Sequence, residues 1–194
     1  MSEAASALGG AAFDGLVLVE DAGLRGMIVL RGDLTAPWMA EAVKAAVGLD
    51  LPGPLRATAE GGGEGRAVAW MSPDELLLLM PRSRVDAAQS GLRAALAGRH
   101  HLVADLSDAR AVFRLSGPAP ALRDTLAKLT PADMHPQALA PGAFRRTRLA
   151  QVPAAIWLRE EGLAEVLCFR SVAQYVYDIL RLSAEPGGEV GYFS

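Results

Sequence analysis

Hydrophobic and polar positions change their period once, sharply, in the stretch Asp108–Leu129. Ala111, Phe113 and Leu115 alternate with Val112 and Arg114, the period-two signature of a strand with two unlike faces. Leu122, Leu126 and Leu129 then recur at i, i+4 and i+7, one face of a helix. Between the two periods lies Ser116-Gly117-Pro118. Ser116 or Gly117 is expected to cap the helix, with Pro118 at its first position, where a missing N–H costs nothing.

The same reading extends along the chain. Residues Met1–Gly10 read as a loose arm and Leu16–Glu20 as a short edge strand. Gly26–Arg31 reads as a strand, followed by a helix from about Pro37 to Val47 that Thr35 caps and that turns Met39, Val43 and Ala46 inward. Ala67–Met71 and Glu75–Met80 flank the turn Ser72-Pro73-Asp74 and predict an antiparallel hairpin. Ser83 is expected to cap a helix over Val85–Ala97, with Val85, Ala88, Leu92 and Leu96 inward, and His101–Asp105 supplies a further strand. The order strand–helix–strand–strand–helix–strand is the ferredoxin-like arrangement.

A similar cycle opens at Arg110. A Pro-rich connector, Thr130–Gly142, leads to strands near Phe144–Leu149, Val152–Leu158 and Glu165–Phe169. Ser171 is expected to cap a closing helix, Val172–Leu182, with Val172, Tyr175, Val176 and Ile179 inward. The tail containing Pro186-Gly187-Gly188 and Tyr192-Phe193 is expected to leave the fold. The pattern therefore predicts an α+β protein with an arm and edge strand over 1–24, one half over 25–106, a second over 107–183 and a tail over 184–194.

Composition narrows the function classes. With 194 residues, 51% of them hydrophobic, the chain can bury a core, and its net charge of −3 gives no general pull towards nucleic acid or anionic lipid. No apolar run is long enough to span a bilayer, and no segment has a basic head followed by a long apolar stretch. The single cysteine, Cys168, fits a reducing, cytoplasmic setting.

Candidate chemistry is sparse. Gly61-Gly62-Gly63-Glu64-Gly65 matches neither the P-loop nor the dinucleotide fingerprint and reads as a hairpin connection. His100 and His101 are adjacent on a strand and point to opposite faces, so they cannot share one metal. His135 reads as a loop histidine. Cys168 lies in an apolar strand, which suits an inert thiol better than a nucleophile. Asp105, Asp108, Asp124 and Asp133 form no dyad and read as caps or solvated charges. The densest basic group is Arg145, Arg146 and Arg148. On a strand Arg146 and Arg148 share a face and Arg145 opposes them. They read either as a solvated face or as forked anchors for an acidic partner.

Several blocks carry a resemblance. VADLSDARAVFRLSGPAP, LTPADMHPQALAPGAF, RRTRLAQVPAAIWL and FRSVAQYVYDIL in the second half, with RGDLTAPWMAEAVKAAVGLDLP and AWMSPDELLLLMP in the first, resemble the gamma subunit of heterotetrameric sarcosine oxidase over about Gly26–Leu182. That family is in turn similar to the aminomethyltransferase (glycine-cleavage T protein) and folate-binding proteins, which implies two ferredoxin-like halves. The resemblance implies an accessory, non-catalytic subunit of an assembly that oxidatively demethylates sarcosine to glycine, with hydrogen peroxide and formaldehyde or methylenetetrahydrofolate. It also implies alpha, beta and delta companion subunits, with FAD, FMN, NAD and tetrahydrofolate held by those companions and no cofactor or metal on this chain. Arg145, Arg146, Arg148, Tyr192 and Phe193 are the residues expected at a partner contact, since Arg and aromatic side chains are frequent interface anchors. The alternative is a stand-alone folate binder with aminomethyltransferase-like activity, stacking a pterin on Trp70 or Trp157. The KGCxxGQE-type segment of folate-binding tRNA-modification proteins is not present, and Cys168 stands in LCFR instead.

Overall fold

The computed structural model describes residues 5–60 and 65–193, so most of the glycine-rich stretch, residues 61–64, and the first residues of the expected arm lie outside the described residues. The chain divides into two compact units: Arg25–Asp108 forms one, and Met1–Leu24 with Ala109–Ser194 forms the other.

In the unit Arg25–Asp108, strand β3 (Gly26–Gly32) leads to helix α1 (Pro37–Val47). Strands β4 (Ala57–Ala59), β5 (Ala67–Ser72) and β6 (Glu75–Met80) follow, then helix α2 (Val85–Ala95) and strand β7 (His101–Asp105). The strands hydrogen-bond in the order β4-β5-β6-β3-β7, every pair antiparallel. Without the short β4 this is the ferredoxin-like order. Its core joins Ile28, Leu30, Leu76 and Leu78 of the sheet to Met39 and Val43 of α1 and Val85 and Leu92 of α2. All six side chains of β6 are buried, as its run of four leucines requires.

The second unit begins with β1 (Ala12–Asp14) and β2 (Leu18–Asp21). It continues with β8 (Arg110–Ser116), helix α3 (Ala119–Ala127), β9 (Phe144–Leu149), β10 (Val152–Glu160), β11 (Leu163–Phe169) and helix α4 (Ala173–Ser183). The order is β1-β2-β8-β11-β10-β9. The short segment near residue 20 is therefore not an edge: β2 is bonded on one side to β1 and on the other to β8, with Val19 opposite Leu115. Val17 and Val19 are buried in the core with Phe113, Leu122, Leu126, Ile156, Val166 and Val176.

The described part of the arm is also tied down. The Asp21 carboxylate accepts hydrogen bonds from the backbone N–H of Leu8, Gly10 and Gly23, and the Arg170 guanidinium donates to the carbonyls of Ala5 and Ser6. Burial pushes the Asp21 carboxyl up. Hydrogen bonds from the Ser6 side chain and from the Leu8, Gly23 and Gly10 backbone outweigh that and hold it below its ordinary value.

None of the expected side-chain caps forms. Ala36, Arg84, Pro118 and Val172 precede the four helices, and none makes a side-chain cap bond. Thr35 instead bonds Asp33 through its backbone N–H and its hydroxyl. Ser83 and Ser171 sit inside 3-10 turns, Arg82–Arg84 and Arg170–Val172, that run into α2 and α4. Their i→i+3 backbone bonds use donors a cap would otherwise take. Pro118 stands one residue before α3, whose first residue is Ala119.

The phase of α4 differs from the sequence reading. Ala173, Val176, Tyr177 and Leu180 are buried, whereas Tyr175 is 38% exposed. Both stripes are apolar, so periodicity alone could not choose between them. The tail does not leave the fold. Its Gly191 N–H donates to the Asp124 carboxylate (2.8 Å), and Lys128 donates to the carbonyls of Ser183 (2.6 Å) and Gly188 (2.9 Å).

Candidate partner-binding surface

Strand β9, FRRTRL, lies at the end of its sheet and pairs with β10 over six consecutive positions without a bulge. Arg145 faces Ile156 and Thr147 faces Ala154, on the side of the helix-covered core; Arg146 faces Ala155 and Arg148 faces Pro153 on the other side. The alternation expected for the three arginines therefore holds, and it separates their roles. Arg145 turns to the Pro-rich connector and donates to the Ala138 carbonyl at 2.6 Å, while Thr147 shares a hydrogen bond with Thr130. Arg146 and Arg148 are exposed. Arg145 thus holds its own chain in place, and the outward basic character of β9 comes from the other two.

The aromatic pair sits on a different element of the same unit. Phe193 packs against the core, Tyr192 is 74% exposed, and their rings meet edge to face at 4.8 Å. Lys128, Met134, Val190, Tyr192 and Phe193 border an open groove of about 350 Å³. Helix α3 organises this region. The Arg123 guanidinium, almost fully buried, donates through Nη1 to the carbonyls of Met134 and Leu139 and through Nη2 to both carboxylate oxygens of Glu161, at 2.9 and 3.0 Å. It fastens the connector and the β10–β11 hairpin to one helix. Arg123, Asp124 and Lys128 were not singled out as organisers from sequence. The available signal was an Arg-Asp pair set between the inward Leu122 and Leu126, where an amphipathic helix places polar residues only if they find partners.

The remaining candidates do not converge. Asp124 is buried and holds the tail, so it is not the solvated charge it resembled. Asp105 bonds Ser107, Asp108 pairs with Arg82 at 2.7 Å, and Asp133 accepts from the His135 backbone. His101 meets the Arg99 carbonyl, and the His135 ring accepts from the Gln137 N–H. Among the described residues no group of three or more His, Cys, Asp or Glu could hold a metal ion. Burial pushes the Cys168 thiol up to about 12 despite the opposing Arg110 charge, far from a thiolate at neutral pH. Trp157 is 2% exposed, and the Arg159 guanidinium covers its ring at 4.3 Å, which leaves that face closed to a stacking ligand. Among the described residues no helix is long and apolar enough to cross a membrane.

These features define an α+β protein of two ferredoxin-like units whose charged side chains mostly fasten its own loops. Comparison with known proteins places it further. The chain belongs to the sarcosine oxidase gamma subunit family, whose description matches residues 31–185. It is 42% identical over 116 residues to a sarcosine oxidase subunit gamma from Arthrobacter sp., a match covering 60% of this chain and 55% of that protein. A second relative of that name, from Corynebacterium sp. (strain U-96), is 39% identical over 126 residues, 65% of this chain and 59% of the relative. The matched stretch thus spans little more than half the length of these relatives. Among solved structures, a chain of the heterotetrameric sarcosine oxidase from Corynebacterium sp. U-96 in complex with pyrrole 2-carboxylate superposes with a TM-score of 0.78 at 29% identity, over 93% of this chain and 90% of that one. The glycine cleavage system aminomethyltransferase T from Bartonella henselae shares the fold, with a TM-score of 0.58 at 18% identity over 80% of this chain and 43% of that one.

Proposed function

We propose that this chain is an accessory, non-catalytic gamma subunit of a heterotetrameric sarcosine oxidase, working in the cytoplasm beside alpha, beta and delta subunits. The assembly would oxidatively demethylate sarcosine to glycine, releasing hydrogen peroxide and formaldehyde or passing the carbon to tetrahydrofolate. FAD, FMN, NAD and tetrahydrofolate would be bound by the companions. The observation that carries this reading is the near full-length superposition on a sarcosine oxidase chain, which reaches 90% of that chain. The dispersal of Asp105, Asp108, Asp124, Asp133, His101 and His135 into separate structural bonds supports it, since acid–base chemistry needs such groups within hydrogen-bond reach of one reacting atom.

Co-expression with the alpha, beta and delta subunits of a sarcosine oxidase tests the proposal. The chain should co-purify in a fixed ratio, and sarcosine-dependent peroxide formation should appear only in the assembly. Sarcosine turnover by the purified single chain, or failure to co-purify, would defeat it.

A further inference from the structure

Helix α4 carries two apolar faces. Ala173, Val176, Tyr177 and Leu180 are buried in the core of its unit. On the outer side Tyr175 is 38% and Leu182 62% exposed, and Ile179 lies half-buried between them along the helix. With Val172, in the turn that leads into α4, these residues fall three, four and three positions apart. Alternation of three and four makes the narrow seam along which one helix packs on another, whereas the broader inward stripe suits a sheet. From Tyr175 to Leu182 the seam runs about 10.5 Å along the axis. Asp178 borders it, three residues after Tyr175 and four before Leu182, so it is a neighbour of both on the helix surface. Its carboxylate accepts a hydrogen bond from the Gln174 side chain at 2.9 Å, and among the described residues no cation pairs with it. Arg181, one turn on, is taken by Glu185 at 2.7 Å.

We propose that the outer face of α4 docks a helix of a companion subunit, which lays its own apolar row along Tyr175, Ile179 and Leu182 and sets a lysine or arginine against Asp178. This rests on the assembly proposed above. The charge argues against a second copy of this chain as the occupant. Two α4 helices laid antiparallel about Ile179 would bring Asp178 against its own counterpart, like charge against like.

The test uses the co-expressed assembly. The wild-type chain must first co-purify; if it does not, the subunit proposal itself fails. Y175Q/L182Q should then weaken association by on the order of tenfold or more, because it strips the seam and changes no charge. D178K should weaken it by about threefold at about 0.15 M salt, and by less at higher salt. All three residues are exposed, so the isolated variants should melt as wild type does. Normal assembly of Y175Q/L182Q overturns the docking face and leaves the subunit proposal standing, and a D178K chain that binds like wild type overturns the basic flank. If a variant fails to fold, hydroxyl-radical footprinting of the wild-type assembly decides. Tyr175 and Leu182 should be oxidised several-fold less than in the free chain, and equal oxidation overturns the inference. A photo-crosslinking side chain in place of Leu182 identifies the occupant. A cross-link to a helix of another subunit supports the proposal, and one to a strand or to a second copy of this chain overturns it.

Discussion

The units Arg25–Asp108 and Met1–Leu24 with Ala109–Ser194 reach the same strand order by different routes. In the first, α2 runs through Gly98 into β7, and β7 takes the place beside β3. In the second, α4 runs into the tail, and the place beside β8 is filled from the other end of the sequence by β2. Where the first unit has continuous chain, the second has a break closed by a hydrogen bond, from the Leu16 N–H to the Ala184 carbonyl at 2.7 Å. The likeness continues in detail. Strand β3 ends in Gly32 and β8 is followed directly by Gly117, both with a φ of 158°. Each second helix is reached through an Arg-Ser 3-10 turn. An antiparallel ladder needs only a strand of suitable faces at the right place, and it is indifferent to which covalent neighbour delivers it.

The largest test of this comparison removes the borrowed strand. Deleting residues 1–24 takes away β1, β2 and the buried Val17 and Val19, each worth about 1.5–3 kcal/mol of burial, and leaves β8 unpaired on one side. Against a typical total of about 5–15 kcal/mol, we expect amides of β8 and α4 to lose their slow hydrogen exchange. Retained protection there would show that β2 is dispensable.

A smaller effect sharpens the same point at the break. A Cβ on Gly15 would collide with the Ala184 carbonyl oxygen and lie 2.6 Å from Phe13. Gly15→Ala should cost about 2 kcal/mol in denaturant unfolding, in the range of overpacked sites. At the covalent junction, Gly98 has φ +76° and open space around its Cα. Gly98→Ala should therefore cost only the backbone strain, about 1 kcal/mol. Equal costs would mean that the break is no more crowded than the loop.

The smallest effect concerns acid. The Asp21 carboxyl is held below its ordinary value in the folded chain, so its contribution is complete at pH values above the ordinary carboxylate range. It is lost as pH falls through the lowered folded value, because the unfolded chain then binds the proton more readily. Thermal melts should show a smaller acid destabilisation between pH 5 and about pH 2 for Asp21→Asn than for wild type. Parallel curves would remove Asp21 from the clasp on the arm.

Much of the fold was legible because its determinants are local. The hairpin around Ser72-Pro73-Asp74, the inward stripe of α2 and the strand over Phe144–Leu149 follow from turn chemistry and a single clear period. The candidate surface was half legible: alternation alone placed Arg146 and Arg148 on the face opposite Arg145. The failures share one cause. Val172, Tyr175 and Ile179 rival Ala173, Tyr177 and Leu180 as an apolar stripe, and only contact with the sheet selects the second set. The tail carries no periodic pattern, so its attachment to Asp124 and Lys128 left no trace in residue spacing.

The sequence by itself determined the elements, the faces of most of them and the turns between them, since each depends on residues within a few positions of one another. Tertiary structure alone decided that residues 18–21 complete a sheet begun at residue 110 and that Arg123 joins a helix to a distant connector and hairpin. Backbone ladders and buried carbonyls look alike along the chain, and only the folded geometry chooses which distant partner satisfies them.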